Sequence, residues 1–332
     1  MERKLPRVLL PLASSLTLFF SGFTFAEEPR PFDDKNVFSE FIAEMVKEYK
    51  FDASTLSEWF NEARLHQNII DAISRPAESK PWYDYRPIFV NRERVRGGVL
   101  FWNEHAKIID QVVAEYQVPP EILVAIVGVE TRYGQHKGNY PVLDSLATLA
   151  FAYPPRAKFF RSELKQYLLM AREENFDPLA LKGSYAGAMG MPQFISSSFR
   201  RYAVDFDKNG QRDLWESVAD ALGSVGNYFR RHGWKPGEPV AHEVEVSGLK
   251  YQEMIDDSLK PRYTPEEFRL AGVALPSDLP ADLKGALVQF DNGDGVEYWV
   301  VWNNFYVISR YNHSALYSMA VYQLSQEIAE SR

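Results

Sequence analysis

The chain has 332 residues, of which 45% are hydrophobic, enough for one large core or for two to three smaller ones. Its net charge of -8 and the absence of a long Lys/Arg run argue against nucleic acid as a partner. It contains no cysteine, which excludes disulfides and a lipid attached to an N-terminal cysteine.

Residues 1–26 have the three parts of a secretory signal. Three basic residues come first, an apolar segment runs from Val8 to Phe20, and small residues end the segment at Ala26. The apolar part is shorter than the roughly 20 residues that a membrane-spanning helix needs. We therefore predict export to the periplasm with a cleaved signal peptide and no membrane anchor.

Residues 27–116 predict an N-terminal helical domain. Apolar residues recur at helical spacing between 32 and 74, which indicates two or three short helices, and a longer helix is predicted over 95–116. Between them, residues 75–87 carry three prolines and three aromatic residues, so we expect an extended connection lined with rings. These rings either pack on the helices or line a groove.

The segment 119–134 predicts an apolar helix that ends in a carboxylate. Two prolines suit its first turn, and a glycine follows the point where the apolar run stops. Glu130 lies four residues after Ile126 and eight after Ile122, so it shares a face with residues expected to be buried. Burial and the negative end of the helix both favour a protonated carboxyl, which predicts a raised pKa, as a general acid needs. The alternative is a surface glutamate that pairs with Arg132.

A glycine-rich run, 183–194, follows a predicted helix over 156–174. It lacks the Gly-Lys-Ser/Thr ending of a phosphate loop. Its small residues let a backbone approach something closely, and Ser184 and Gln193 are the polar groups available to orient a ligand. The alternative is a tight turn between two helices. A further helix is predicted from Ser217 to a glycine stop at Gly233.

Residues 205–216 match the twelve-residue loop that binds calcium in EF-hands. Oxygen-bearing side chains fall at positions one, three and five, a glycine falls at six and a glutamate at twelve. Asp220, one helical turn beyond Glu216, could replace it as the closing ligand, and the alternative is an Asx-rich turn that holds no ion. We predict a structural calcium ion, no organic cofactor, and ligands from this set: Asp205, Asp207, Asn209, Gln211, Glu216 and Asp220.

The last part of the chain changes character at residue 239. Alternating or β-branched segments at 242–246, 286–290, 296–301 and 305–309 predict strands, so we expect a small antiparallel β domain over 239–310. Residues 311–332 predict a C-terminal helix, Ser314 to Ile328, that packs back on the helical part.

Four motifs occur in a fixed order and together resemble the lytic murein transglycosylase B family, whose members cut peptidoglycan glycan strands. They are Glu-Thr-Arg-Tyr-Gly at 130–134, the run at 183–194, Tyr-Ala-Val-Asp-Phe-Asp-Lys-Asn-Gly at 202–210, and Gly-Asn-Tyr-Phe-Arg-Arg-His-Gly-Trp at 226–234. The resemblance covers roughly residues 32 to 330. It implies an α+β, predominantly α fold with a lysozyme-like catalytic core over 117–238 that contains the calcium loop.

The same resemblance implies roles for individual residues and partners. Glu130 would be the catalytic acid and base, and peptidoglycan glycan strands the substrate, with cell-wall enzyme complexes as possible partners. Members of the family are often lipoproteins, whereas this chain resembles the soluble forms. Where the family often has two adjacent arginines, this chain has Pro155-Arg156, so one guanidinium is missing. The residues that look like sugar-binding positions are Tyr85, Arg156, Ser184, Gln193, Tyr228, Tyr311, Asn312 and Tyr317.

A single carboxylate fits the predicted chemistry better than a pair. Ordinary glycosidases place two carboxylates about 5 Å apart if retaining, or about 6.5–9.5 Å apart if inverting. The nearest second carboxylate in sequence is Asp144, which is more typical of a helix cap. Glu130 acting twice would give a 1,6-anhydro product, as the resemblance implies. The alternatives are a muramidase that hydrolyses the same bond and a non-catalytic peptidoglycan-binding protein.

Overall fold

The computed structural model describes residues 28–74 and 80–332. The predicted signal peptide at 1–26 lies outside these residues. In the described part of the chain, most of the regular structure is helical and the strands are few and short. This confirms the α+β, predominantly α class. The helices are α1 (Ser39–Tyr49), α2 (Ala53–Glu62), α3 (Gln67–Ser74), α4 (Trp82–Phe89), α5 (Arg92–Glu104), α6 (Ala106–Tyr116), α7 (Pro120–Thr131), α8 (Val142–Ala152), α9 (Ala157–Glu174), α10 (Ser196–Tyr202), α11 (Val218–Arg231), α12 (Pro265–Leu270), α13 (Asn303–Tyr311) and α14 (Ala315–Ser331).

The strands pair in three antiparallel sheets of two or three strands each within the described residues. β1 pairs with β2, β3 pairs with β4, and the larger sheet has the order β5-β7-β6. Their bounds are β1 (Arg30–Pro31), β2 (Arg64–Leu65), β3 (Tyr140–Pro141), β4 (Lys182–Gly183), β5 (Ala241–Val244), β6 (Gly285–Asp291) and β7 (Val296–Trp302).

The described residues group into two compact units. The first, here the core unit, comprises 28–74 and 97–228, and the second, the sheet unit, comprises 80–96 and 229–332. This grouping differs from the predicted segmentation, which put residues 80–96 in the N-terminal helical domain. Local composition indicates consecutive segments, whereas the compact units depend on contacts between segments that are distant in sequence.

Helix α7 forms the buried centre of the core unit. Every residue from Ile122 to Thr131 is buried, and the neighbouring helix α8 is buried from Val142 to Ala150. No single helix in the described ranges is long and apolar enough to cross a membrane. Within the same ranges, α6 and α7 meet that test as a pair, and they are bent by 113° relative to each other.

The sheet unit has its own hydrophobic core around β7. Leu287 of β6, Val300 and Trp302 of β7, and Phe268 of α12 have no exposed surface. The indole Nε1 of Trp302 donates a hydrogen bond of 2.7 Å to Nδ1 of His242 on β5. This contact satisfies the only polar atom of a fully buried tryptophan side chain.

The strand predicted at 305–309 is wrong, because these residues belong to helix α13. Phe305, Val307 and Ile308 are buried, and a short apolar run alone does not separate a strand from a buried helix. Hydrogen bonds of the Asn304 side chain favour the helix. This side chain accepts a hydrogen bond from the backbone N–H of Lys235 and donates to the carbonyls of Lys235 and Glu238, which fixes the start of the helix.

The predicted extended connection at 75–87 is wrong from residue 82 onward, where helix α4 begins; residues 75–79 lie outside the described ranges. Trp82, Tyr85 and Phe89 recur at helical spacing and bury one face of α4, so packing outweighs the donor lost at Pro87. The single helix predicted over 95–116 is also interrupted, at His105, between α5 and α6.

Candidate active site

Glu130 occupies the last turn of α7 and is only 8% exposed. Ile126 and Ile122, one and two steps of four residues earlier on the helix, are fully buried, as the spacing predicts. A carboxylate with so little contact with water loses most of its hydration, which favours the protonated form. The raised pKa expected for Glu130 stays a prediction.

The chain reverses sharply after Glu130. Arg132, Tyr133 and Gly134 have φ angles of 50°, 60° and 85°, three consecutive residues in the left-handed region. The left-handed backbone costs free energy at Arg132 and Tyr133, which are not glycines, so contacts with the surrounding structure must stabilise it. The ring of Tyr133 does so by lying against the backbone at Gly97 and Gly128, where an added Cβ would come within 2.7 Å of the ring.

The glycine-rich run packs directly against the segment that follows this reversal. Gly138 has a φ of 92°, and a Cβ added there would lie 2.1 Å from the carbonyl of Gly183. Next to this contact, Tyr140 pairs with Gly183 across β3 and β4. The close approach predicted for the small residues therefore takes place between two stretches of the chain's own backbone.

Ser184 and Gln193 lie in this glycine-rich run and already serve its structure. The hydroxyl oxygen of Ser184 accepts a hydrogen bond from the Ala188 N–H. The same hydroxyl can also donate one hydrogen bond. The amide nitrogen of Gln193 donates to the carbonyls of Lys137 and Gly190, at 3.1 and 2.9 Å. These two bonds use the amide hydrogens of Gln193, and the amide oxygen takes no part in them.

Arg156 and Tyr228 also belong to the core unit. The Arg156 guanidinium lies over the rings of Phe159 and Phe160, with its Cζ 4.6 and 5.1 Å from their centroids. Burial lowers the pKa of Arg156, an effect that nearby Tyr153 and Tyr185 oppose. Tyr228 is largely buried, and its ring packs against Phe194 of the glycine-rich run. Both residues therefore adjoin the run that carries Ser184 and Gln193.

The remaining sugar-binding positions implied by the resemblance lie in the sheet unit. Tyr85 and Tyr317 are buried in α4 and α14, Asn312 follows the end of α13, and Tyr311 packs against Phe229. Their sugar-binding roles stay predictions.

Asp144 is not a helix cap. It lies inside the first turn of α8, whose N-cap position is Pro141, and it is buried. One carboxylate oxygen accepts from the backbone N–H of Arg64 at 3.0 Å, and the other lies 2.9 Å from Nε2 of His66. Both oxygens are therefore engaged in holding residues 64–66 on α8, which removes the second carboxylate that the sequence offered for catalysis.

The predicted calcium loop brings three carboxylates together. Oxygen atoms of Asp205, Asp207 and Asp220 lie within 4.8 Å of one another. Asp220 has no exposed surface, and its oxygens accept backbone hydrogen bonds from Phe206 and Asp213. Burial raises the pKa of Asp220, and these backbone hydrogen bonds oppose the rise.

Glu216 points away from this group of carboxylates. Its side chain is 77% exposed and forms an ion pair of 2.8 Å with Nζ of Lys137. Asn209 and Gln211, at the other predicted ligand positions, offer side-chain and backbone oxygens on the same loop. An all-oxygen set with three clustered carboxylates suits a hard cation such as calcium.

Comparison with known proteins assigns the chain to a family. The model of the transglycosylase SLT domain matches residues 33–326. The chain therefore belongs to the transglycosylase SLT domain family, and its lysozyme-like, mainly helical fold matches that of solved lytic transglycosylases.

Similar proteins include several lytic transglycosylases. The chain is 42% identical over 303 residues to the membrane-bound lytic murein transglycosylase B of Escherichia coli strain K12, which covers 88% of this chain and 82% of the relative. The soluble lytic transglycosylase SltB1 of Pseudomonas aeruginosa has a TM-score of 0.85 and 49% identity, with 89% and 98% of the two chains covered. The E. coli lytic transglycosylase Slt35 in complex with calcium has a TM-score of 0.82 and 40% identity, with 90% and 94% covered. This chain is thus a peptidoglycan lytic transglycosylase.

Sequence reasoning missed two residues that shape the site. The hydroxyl of Thr131 contacts the carbonyl of Met191, and Nζ of Lys137 donates to the carbonyl of Trp215 at 2.6 Å. Neither partner is near in sequence, and both acceptors are backbone atoms. No residue pattern could therefore have indicated these contacts.

Proposed function

We propose that the chain cleaves the β-1,4 bond between N-acetylmuramic acid and N-acetylglucosamine and forms a 1,6-anhydromuramic acid end. The observation that carries this proposal is the burial of Glu130 at the end of α7. A buried carboxyl can stay protonated near neutral pH and act as a general acid. Asp144, whose two oxygens hold residues 64–66, does not compete for a second catalytic role.

Glu130 acts twice in this scheme. Its carboxyl proton passes to the bridging oxygen, the bond from C1 to that oxygen breaks, and N-acetylglucosamine leaves with a free hydroxyl. The N-acetyl group of the muramic acid stabilises the positive charge that develops at C1. The C6 hydroxyl of the same sugar then attacks C1 and returns its proton to the Glu130 carboxylate. The acid is regenerated, and no water is consumed.

Substrate contacts in the core unit are assigned to the residues that adjoin the glycine-rich run. The Ser184 hydroxyl can donate, the Gln193 amide oxygen can accept, and the Arg156 guanidinium can bind an oxygen of the sugar or its lactyl group. Tyr228 would offer a ring edge. In the sheet unit, sugar-binding roles are proposed by family resemblance for Tyr85, Tyr311, Asn312 and Tyr317.

Calcium would be held by the loop at 205–216 and by Asp220. The residues proposed to hold it are Asp205, Asp207 and Asp220 through carboxylates and Asn209 and Gln211 through carbonyl oxygens. Because Glu216 pairs with Lys137, it is left out of this set. The presence of calcium in Slt35 supports the proposal. The ion would neutralise clustered carboxylates and hold the loop closed.

The site of action is proposed to be the periplasm. Murein is the substrate of the relatives, and residues 1–26 have the composition of a signal peptide. Glycan strands are the proposed partners, with other cell-wall enzymes as possible members of a complex.

Digestion of purified sacculi by Glu130→Gln tests the role of the acid. We expect cleavage to fall by about 100- to 10,000-fold, because the amide cannot donate and recover a proton in the same way. Glu163→Gln is the matched control, since Glu163 is another buried carboxyl of the core unit that accepts from the Ser197 N–H. This control should keep cleavage within a few-fold of the wild type, and both variants should retain binding to sacculi.

Mass spectrometry of the wild-type digest tests the product. The anhydro end is one water lighter than a reducing end, and it should dominate. A dominant reducing-end product would instead identify a hydrolytic muramidase. Undiminished cleavage by Glu130→Gln would remove Glu130 from the mechanism, and no cleavage by the wild type would favour a binding protein.

A further inference from the structure

The hydroxyl of Thr131, the residue after Glu130, joins three separate pieces of backbone. Its Oγ1 accepts a hydrogen bond of 3.0 Å from the Gly134 N–H and lies 2.9 Å from the carbonyl oxygen of Met191. The carbonyl oxygen of Val127 is also 3.2 Å away. Because the hydroxyl has one proton, it donates to one carbonyl at a time, and the Met191 bond is the shorter. Thr131 is 1% exposed, so water cannot replace these bonds.

These contacts connect the end of α7 to the glycine-rich run. Val127 belongs to the helix itself, Gly134 to the reversal that follows it, and Met191 to a segment 60 residues further along the chain. The side chain of Met191 also comes within reach of Gly134, since a Cβ added there would lie 3.4 Å from Cγ of the methionine.

The peptide groups of Met191 are held from a second side as well. The Met191 N–H donates to the carbonyl of Leu214 at 2.8 Å, and Leu214 lies in the predicted calcium loop. Gly190 lies directly against that residue, because a Cβ there would be 2.4 Å from the Leu214 oxygen. Met191 is therefore fixed between the end of α7, here called the acid helix, and the predicted calcium loop, and Thr131 makes the contact on the helix side.

We propose that Thr131 is a positioning residue for the lytic transglycosylase reaction. Its hydroxyl sets the distance between the helix end that carries Glu130 and the run that carries Ser184 and Gln193. This inference rests on the proposed role of Glu130 as the acid. The reaction requires one carboxyl to reach two different oxygens of the bound sugar, and a shift of about 1 Å can cost about 100-fold in rate.

Substitution by valine separates positioning from simple packing. Thr131→Val keeps the shape of the side chain and removes the hydroxyl, while Thr131→Ser keeps the hydroxyl. Thr148→Val is the matched control, because Thr148 is also buried in the core unit. Its Oγ1 accepts from the His66 N–H at 3.1 Å and lies 3.4 Å from the carbonyl of Arg64, away from the acid helix.

The measurement is kcat and KM on a soluble glycan fragment, together with the pH dependence of kcat. Thr131→Val should lower kcat by about 10- to 100-fold with KM changed less than about threefold, because sugar contacts persist while the acid is displaced. The acid limb of the pH profile of kcat should also shift in Thr131→Val relative to the wild type. Thr131→Ser should restore most of kcat, and Thr148→Val should keep kcat within about threefold despite a similar loss of melting temperature.

Equal kcat in Thr131→Val and Thr148→Val would overturn the proposal, as would Thr131→Ser being as slow as Thr131→Val. If Thr131→Val does not fold, the same comparison is made between Thr131→Ala and Thr148→Ala at low temperature. The result for Glu130→Gln is independent. Full activity there would contradict the acid role, whereas an inactive Glu130→Gln with an active Thr131→Val would contradict the positioning role alone.

Discussion

Three buried carboxyls of the core unit show how local contacts decide what a buried acid does. Asp144 has each oxygen bound to residues 64–66, and Glu163 accepts from the Ser197 N–H at the start of α10. Burial raises the pKa of Glu163, and the hydrogen bonds from Ser197 oppose the rise. Glu130 differs by lying at a helix end beside the glycine-rich run. Burial alone therefore does not single out a catalytic acid, and the proposal for Glu130 also depends on its place at the end of α7.

The sequence predicts the burial of Glu130 but not the tertiary contacts at the end of its helix. Ile122 and Ile126 are close in sequence to Glu130, so helical spacing alone places all three on one buried face. The bond from Thr131 to Met191 crosses 60 residues and ends on a backbone oxygen. Side-chain identity carries no information about such an acceptor, so only the folded chain reveals it.

His242 gives the sheet unit a dependence on pH. Its Nδ1 accepts the bond from Trp302, which requires a neutral ring, and burial lowers the pKa of His242 while Asp278 opposes this. With the folded pKa below the unfolded value, the unfolded chain binds more protons in acid. The stabilisation is complete above the ordinary pKa of about 6.5 and is lost as the pH falls from that value through the lower pKa of the folded protein.

Replacement of His242 by asparagine tests this dependence. The amide oxygen of Asn occupies the place of Nδ1 and does not titrate, so His242→Asn should lose less stability than the wild type between pH 7.5 and 5. The measurement is the urea midpoint of both proteins at each pH. His242→Leu, which lacks an acceptor at every pH, should be destabilised throughout. A constant difference between wild type and His242→Asn would contradict the assignment.

At the scale of elements, helices with clear terminal signals were predicted well. α9 and α11 begin within one residue of their predicted starts, and the Ser314 side chain caps α14 by accepting from the Tyr317 N–H. α13 was mistaken for a strand because the anchor at Asn304 depends on residues 235–238, which the sequence does not connect to it. Local signals therefore define helix ends, and tertiary contacts decide the type of short apolar segments.

The close backbone contact between Gly138 and Gly183 predicts that a side chain at residue 138 destabilises the fold. Alanine at Gly138 would place a Cβ 2.1 Å from a backbone carbonyl in a residue with φ of 92°. The left-handed backbone alone costs about 1 kcal/mol, and the clash should raise the loss of stability to roughly 3 kcal/mol or more. Gly138→Ala should therefore melt well below the wild type and lose cleavage.

Gly237→Ala is the control that measures the cost of the left-handed backbone without a clash. Gly237 has a φ of 76°, and nothing lies within 4 Å of a Cβ added there. Its loss of stability should stay near about 1 kcal/mol, with cleavage retained. Equal melting temperatures for the two variants would show that the segments can separate without cost, contrary to the close backbone packing.

At the scale of the whole molecule, two distant stretches of chain build each compact unit. Residues 80–96 join residues 229–332, and residues 28–74 join 97–228. The sequence predicted that the C-terminal helix packs back on the helical part, but composition divides a chain into consecutive segments and could not indicate that α4 is the helix that α14 contacts. The ion pair of 2.9 Å between Arg86 and Glu327 is one contact that makes this association specific.

Calcium should stabilise the folded protein by mass action. An ion that binds only the folded state contributes about 2.7 kcal/mol at a concentration 100 times its Kd. The melting temperature should therefore rise with calcium and fall when a chelator is added. A melting temperature insensitive to both would contradict a filled loop.

Two substitutions decide which carboxylate closes the loop. Asp220→Asn should abolish the calcium-dependent rise, because Asp220 is the buried member of the carboxylate group that it forms with Asp205 and Asp207. Glu216→Gln should keep most of that rise, since its side chain is exposed and pairs with Lys137. The comparison uses the shift between calcium and chelator, because Asp220 also accepts backbone hydrogen bonds whose loss lowers stability without the ion. A rise lost in Glu216→Gln and kept in Asp220→Asn would make position twelve of the loop the closing ligand.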